Sequence, residues 1–134
     1  MNISDLSVTF TISNLEETRR FYERYFGAKA SFDCGWYVIL RLTGIKEGPE
    51  ICFMEPRDGA PAFTGGATLN LRVTEVDAVH TQLTDKGLTP LIPLEDHPWG
   101  DRGFGILDPC GIVVYCYQDI EPSAEFKPYF IELK

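Results

Sequence analysis

The sequence predicts an α+β fold made of two tandem βαβββ modules, and three features of the chain lead there. Ser7 to Gly27 reads SVTFTISNLEETRRFYERYFG and Thr68 to Gly87 reads TLNLRVTEVDAVHTQLTDKG. Each is an alternating stretch, a polar cap and an amphipathic run closed by glycine. Setting Ile12-Ser13-Asn14-Leu15 on Val73-Thr74-Glu75-Val76 separates the copies by 61 positions, nearly half of the 134 residues, which is the mark of an internal repeat. After each copy come three short β-type runs divided by turn formers. Two such modules facing each other leave a cleft between them, and that cleft is where a functional site is expected.

In the first module Val8, Phe10 and Ile12 alternate with Ser7, Thr9 and Thr11, a strand with one apolar and one hydroxylic face. Asn14 followed by Glu17 has capping-box spacing and opens a helix carrying Leu15, Phe21, Tyr22, Tyr25 and Phe26, which Gly27 stops. Strands are predicted at Ala30–Phe32, Gly35–Leu42 and Glu50–Glu55. The turn-rich segment 57–66 then reads as a linker between a first module over 5–56 and a second over 67–118. There the same order predicts a strand at Leu69–Val73 and a helix from Glu75 to Lys86, with Thr74 as cap and Gly87 as stop. Strands follow at Leu91–Leu94, Gly103–Leu107 and Ile112–Tyr117, the last preceded by the turn Asp108-Pro109-Cys110-Gly111. The tail, 119–134, carries Phe126, Tyr129, Phe130, Ile131 and Leu133 and is expected to dock on its own domain or on a second subunit.

A chain of 134 residues with 44% hydrophobic and 24% charged residues fits a single domain, 1–134, that buries an adequate core. Its opening, MNISDLSVTF, lacks a basic and an apolar leader region, and no run approaches a membrane span, so a cytoplasmic location is the expectation. Cys34, Cys52, Cys110 and Cys116 lack C-x-x-C spacing and read as reduced thiols, Cys52 and Cys116 within the core. A net charge of −8 argues against nucleic acid and an anionic membrane as partners, since a phosphate backbone must be met by Lys and Arg.

Two segments, I-S-N-L-E-E-T-R-R-F-Y-E-R-Y-F-G at Ile12–Gly27 and P-W-G-D-R-G-F-G-I-L-D-P-C-G-I-V-V-Y at Pro98–Tyr115, make the chain resemble the vicinal oxygen chelate superfamily. This superfamily includes glyoxalase I, bleomycin-resistance proteins and extradiol dioxygenases, and the likeness covers residue 5 to about residue 118. It implies paired βαβββ modules whose mixed sheets curve around a shared cavity, commonly in a homodimer. It leaves function open, because the superfamily contains both metal enzymes and metal-free binding proteins.

Metal-dependent members place a His early in the first strand of each module and a Glu in each last strand. By that resemblance the positions fall on Ser7, Thr68, Tyr115 and the neighbourhood of Cys52. Such sites want three or four His, Cys or carboxylate donors, so no metal and no other cofactor is expected. The exception is a site rebuilt from Cys52 or Glu55 with His97. No nucleophile with a base can be assigned: His80 is expected on the outer side of the second helix, His97 reads as a loop residue beside Pro98, and Asp101 and Arg102 as surface-paired.

Without metal donors, the pocket wall is hydroxylic and aromatic. In the bleomycin-resistance proteins the tryptophan of P-W-G and a second aromatic flank a planar ligand; Trp99 matches the first and Trp36 is the candidate for the second. Offset stacking contributes about 0.5–1.5 kcal/mol per ring beyond area burial. Phe53, Phe104 and Tyr115 are the further candidate wall residues, and Asn70 and Arg72 the candidate hydrogen-bonding groups. The expected function is a metal-independent, homodimeric small-molecule binding protein with no assignable catalytic residue. It would sequester a planar aromatic or peptide-like compound such as an antibiotic, for resistance or self-protection. The alternatives are a lyase, isomerase, hydrolase or dioxygenase of the same superfamily with a rebuilt or absent metal site, and an interaction module acting through its tail.

Overall fold

Strand alternation and two glycine-closed helices build the same unit twice in the computed structural model, which describes residues 1–134. In chain order the elements are β1 (Thr9–Thr11), α1 (Leu15–Phe26), β2 (Lys29–Asp33), β3 (Tyr37–Arg41), β4 (Glu50–Met54), β5 (Thr68–Arg72), α2 (Val76–Asp85), β6 (Ile92–His97), β7 (Asp101–Leu107) and β8 (Val113–Asp119). The strands form two four-stranded sheets, β1-β4-β3-β2 and β5-β8-β7-β6. In each the first strand lies parallel to the last and the other pairings are antiparallel. Residues 1–65 with 108–111 make one compact unit and residues 66–107 with 112–134 the other. No helix is long and apolar enough to cross a membrane.

The first unit packs α1 on its sheet through Tyr22, whose ring stacks on Phe53 at 5.6 Å. Tyr22 is fully buried, and its hydroxyl donates to Asp108 Oδ2 at 2.5 Å. Burial, reinforced by the adjoining carboxylate, pushes the Tyr22 phenol far above its ordinary range. Asp108 also accepts the Cys110 N–H at 2.9 Å, so the D-P-C-G turn is fastened by its own aspartate. Gly27 closes α1 in the left-handed region, φ 70°. The capping box does not form: the Asn14 side chain donates to the Pro109 carbonyl instead. Residues 57–65 of the turn-rich segment belong to the first unit, where the Phe63 N–H bonds the Thr11 carbonyl and its ring meets Phe10 edge-on.

In the second unit Val76 and Leu83 of α2 join Phe104, Ile106, Val114 and Cys116 in the core. The N-cap of α2 is Glu75 rather than Thr74, and the Val76 N–H is satisfied by the Gln118 carboxamide of β8 at 2.8 Å. His80 turns toward the sheet, its ring edge-on to Phe104 at 5.0 Å, and is not an outer residue. Residues after β8 fold back on the β6–β7 turn, with Ile120 N–H on Gly100 O, Ser123 N–H on Pro98 O and Phe126 edge-on to Trp99. Beyond them Tyr129, Phe130, Ile131 and Leu133 are exposed. None of the four cysteines forms a disulfide, and Cys52 and Cys116 are buried. Burial pushes the Cys116 thiol up to about 12.

Candidate functional site

Pleating sorts the second sheet into a covered and an open face. Phe104, Ile106, Val114 and Cys116 face the helix side and are buried. The other parity carries rows set by the register: Asn70, Tyr115 and Gly105; Arg72, Tyr117 and Gly103; Asp119, Asp101 and His97. This open face holds most of the chemistry-bearing side chains singled out in the second module.

Its centre is a hydrogen-bonded cluster. The turn Pro98-Trp99-Gly100, with Gly100 at φ 113°, brings His97 and Asp101 opposite each other at the ends of β6 and β7. Asp101 receives three donors: the Tyr115 hydroxyl at 2.7 Å and His97 Nδ1 at 2.8 Å on one carboxylate oxygen, and the Trp99 indole N–H at 2.9 Å on the other. Partial burial pushes this carboxyl upward, but the bonds from Tyr115, His97 and Trp99 outweigh it and hold Asp101 below the usual carboxylate range. Burial first, and the Asp101 carboxylate second, push the Tyr115 phenol up.

Ring geometry follows from these bonds. The His97 and Trp99 rings lie parallel, 2° apart at 4.6 Å, and Tyr115 stacks with Tyr117 at 5.9 Å. Arg72 places its guanidinium 5.6 Å from the Tyr117 centroid while pairing with Asp119 at 3.1 Å. Gly103 makes room: a Cβ there would stand 2.6 Å from the Tyr115 phenol and 2.8 Å from the Cys116 carbonyl oxygen. Trp99 remains 48% exposed, the most open large surface in the cluster.

The remaining candidates divide between wall and core. Asn70 and Arg72 are exposed on the open face, and Tyr115 is half-buried there. Phe53 and Phe104 are corrected: both are 0% exposed, because their strand parity points them to the helix-covered side, where Phe53 meets Tyr22 and Phe104 meets His80. In the first unit Trp36 is exposed just before β3, with the Arg57 guanidinium 3.9 Å over its ring, a cation–π contact. Two hollows in that unit, about 320 and 660 Å³, are lined around Asn14, Phe63 and Cys110 and around Arg41, Lys46 and Glu50, and include none of the candidate ligand-binding residues.

His97, read as a loop residue, ends β6, and Asp101, read as surface-paired, is the acceptor on which the cluster closes. The signal was local: a three-residue turn of P-W-G type sets its flanking residues opposite each other across a hairpin. Arg102, read as surface-paired, bridges Asp77 of α2 at 2.8 Å and Asp96 of β6 at 3.1 Å, binding helix to sheet.

The side chains at the family's ligand positions do not fit a divalent cation. Ser7 precedes β1 and is exposed, Thr68 is a hydroxyl, Cys52 is buried between Thr9 and Ile39, and the Tyr115 hydroxyl already serves Asp101. Nowhere do three His, Cys, Asp or Glu side chains stand close enough to share an ion.

Two βαβββ units of this kind, with an open sheet face, define a glyoxalase-type domain, and the chain belongs to the Glyoxalase/Bleomycin resistance protein/Dioxygenase superfamily, whose sequence profile matches residues 6–115. It is 33% identical over 82 residues to the uncharacterized protein Mb0911c of Mycobacterium bovis, an alignment covering 56% of this chain and 53% of that protein. The chain therefore spans about half the length of the curated relatives it matches. A glyoxalase/bleomycin resistance protein/dioxygenase from Nocardioides superposes with TM-score 0.76 at 16% identity, over 90% of this chain and 86% of the other. TnmS3 from Streptomyces, described as an antibiotic binding protein, gives TM-score 0.72 at 23% identity, over 89% and 98%.

Proposed function

We propose that this protein is a metal-independent binder that sequesters a planar aromatic or peptide-like small molecule such as an antibiotic. One observation carries the reading: the open face of the second sheet presents Trp99, Tyr115 and Tyr117 as parallel or exposed rings, with Asn70 and Arg72 as polar groups beside them. A face of rings with a few placed polar groups suits a planar guest, and stacking needs no ion. TnmS3, of the same fold, is an antibiotic binding protein, which supports the class of ligand. Trp36, stacked under Arg57, is the corresponding candidate contact of the first unit. A role in resistance or self-protection, and a homodimeric state in the cytoplasm, belong to the same proposal.

Quenching of tryptophan fluorescence across a panel of planar antibiotics tests it. At least one compound is expected to bind, and Trp99→Ala to weaken it about tenfold or more, the loss of a stacking ring together with its buried area. Unquenched fluorescence across the panel, or binding indifferent to Trp99→Ala, refutes the reading. Light scattering checks the dimer: a particle of the single-chain mass, 15.1 kDa, refutes that part.

A further inference from the structure

We propose that His97 Nε2 is a fixed hydrogen-bond acceptor in the binding face, which selects planar guests carrying an N–H or O–H on their edge. The inference rests on the sequestration reading and deepens it by naming a feature of the ligand.

Asp101 is held ionised by its three donors, and an ionised carboxylate only accepts. His97 Nδ1, 2.8 Å from Asp101 Oδ1, must therefore carry the proton. In the neutral ring that leaves Nε2 with a lone pair. No hydrogen bond engages Nε2, and it is absent from the sealed polar atoms that lack a partner, Thr18 Oγ1 and Arg41 Nε. It is an acceptor open to a guest.

Its direction is set as well as its chemistry. The imidazole lies 2° from parallel with Trp99, so the lone pair points in a plane parallel to the indole. A flat guest lying parallel to Trp99 meets Nε2 edge-on. A guest that presents an oxygen there sets two lone pairs against each other, and discrimination arises from that mismatch as much as from the bond itself. The carboxylate, the phenol and the indole fix the imidazole by bond and by stack. Asp101 is thus a positioning residue and His97 the group that touches the ligand.

Two tricyclic probes of the same outline separate the possibilities: carbazole, with a ring N–H, and dibenzofuran, with an oxygen in its place. Neither titrates near neutral pH. By fluorescence titration the protein is expected to prefer carbazole by about 3- to 10-fold, the worth of one hydrogen bond. The preference is expected to fall to about one in His97→Phe, which keeps a ring and removes the acceptor. Long-range nitrogen–proton NMR of the unaltered protein at pH 8 should show His97 protonated at Nδ1, a readout that does not require any variant to fold. Equal affinity for the two probes, a preference that survives His97→Phe, or an Nε2–H tautomer overturns the inference and leaves the sequestration reading standing. Failure of the unaltered protein to bind either probe, together with unquenched fluorescence across the antibiotic panel, overturns both.

Discussion

Replacing Asp101 by Asn isolates what the carboxylate contributes, because the shape is kept and the charge is removed. In the folded protein one carboxylate oxygen takes two donors and the other takes the Trp99 indole. An amide has one acceptor oxygen. Turned toward His97 and Tyr115 it keeps those two bonds without charge assistance, and its NH2 then opposes the indole N–H. Hydrogen bonds to a charged group contribute about 1.5–3 kcal/mol each, neutral ones about half that. The side chain is 15% exposed and Trp99 half exposed, so water recovers part of the loss. The expected destabilisation is about 2 kcal/mol at pH 7, or roughly 6–8 °C in Tm for a domain of this size. The pH dependence has a definite sign. Asp101 titrates lower in the folded protein than in the unfolded chain, so its contribution is complete above the unfolded value of about 3.9 and is lost as pH falls through the lower folded value. Urea unfolding of both proteins at pH 7 and toward pH 3 measures the difference. A gap under about 0.5 kcal/mol at pH 7, or one that does not shrink in acid, refutes the account of the cluster.

Two other substitutions probe the scaffold. Tyr22→Phe removes a buried donor to Asp108, itself 4% exposed, and is expected to destabilise by about 1.5–3 kcal/mol in chemical denaturation; an unchanged midpoint would show that the D-P-C-G turn holds without it. Gly103→Ala sets a methyl 2.6 Å from the Tyr115 phenol and 2.8 Å from a backbone oxygen that cannot yield cheaply, so a loss of about 1–3 kcal/mol is expected, and near-native stability by thermal unfolding counts against the packing described for Tyr115.

Local signals carried the architecture into the sequence. The alternation at Thr9–Thr11 and Thr68–Arg72 and the helix stop at Gly27 are properties of neighbouring residues, and the observed elements fall within a few positions of where those residues put them. What depended on distant partners was not legible. The first N–H of α2 is satisfied by Gln118, 42 residues away, so Thr74 looked like the cap only because it was adjacent. Asn14 had the spacing of a capping box, yet Pro109, 95 residues on, takes its side chain. Phe53 and Phe104 failed as wall residues for want of register. Once Phe104 is known to stand opposite Cys116, and not opposite Tyr115, its place in the core follows from the pleat. Residue type and strand parity sufficed to set Asn70, Arg72 and Tyr115 on one face; the pairing of His97 with Asp101 needed the register of the hairpin, which their four-residue spacing across a glycine turn only suggests.

The cluster can be understood as the consequence of one side chain. Position 115, where the family resemblance expects a metal-binding carboxylate, carries a phenol. It lies over Gly103, the one residue in the adjoining row bare enough to accept it, and so its hydroxyl is carried to Asp101. Asp101, already receiving that proton donor, remains ionised and imposes the Nδ1–H form on His97, which lies flat against Trp99. A position that would have offered negative charge to an ion instead organises an acceptor nitrogen and an exposed indole into one plane-parallel pair. On the proposed reading, recognition on this face depends on the outline of the guest and the hydrogen on its edge, properties that organic molecules vary and metal ions lack.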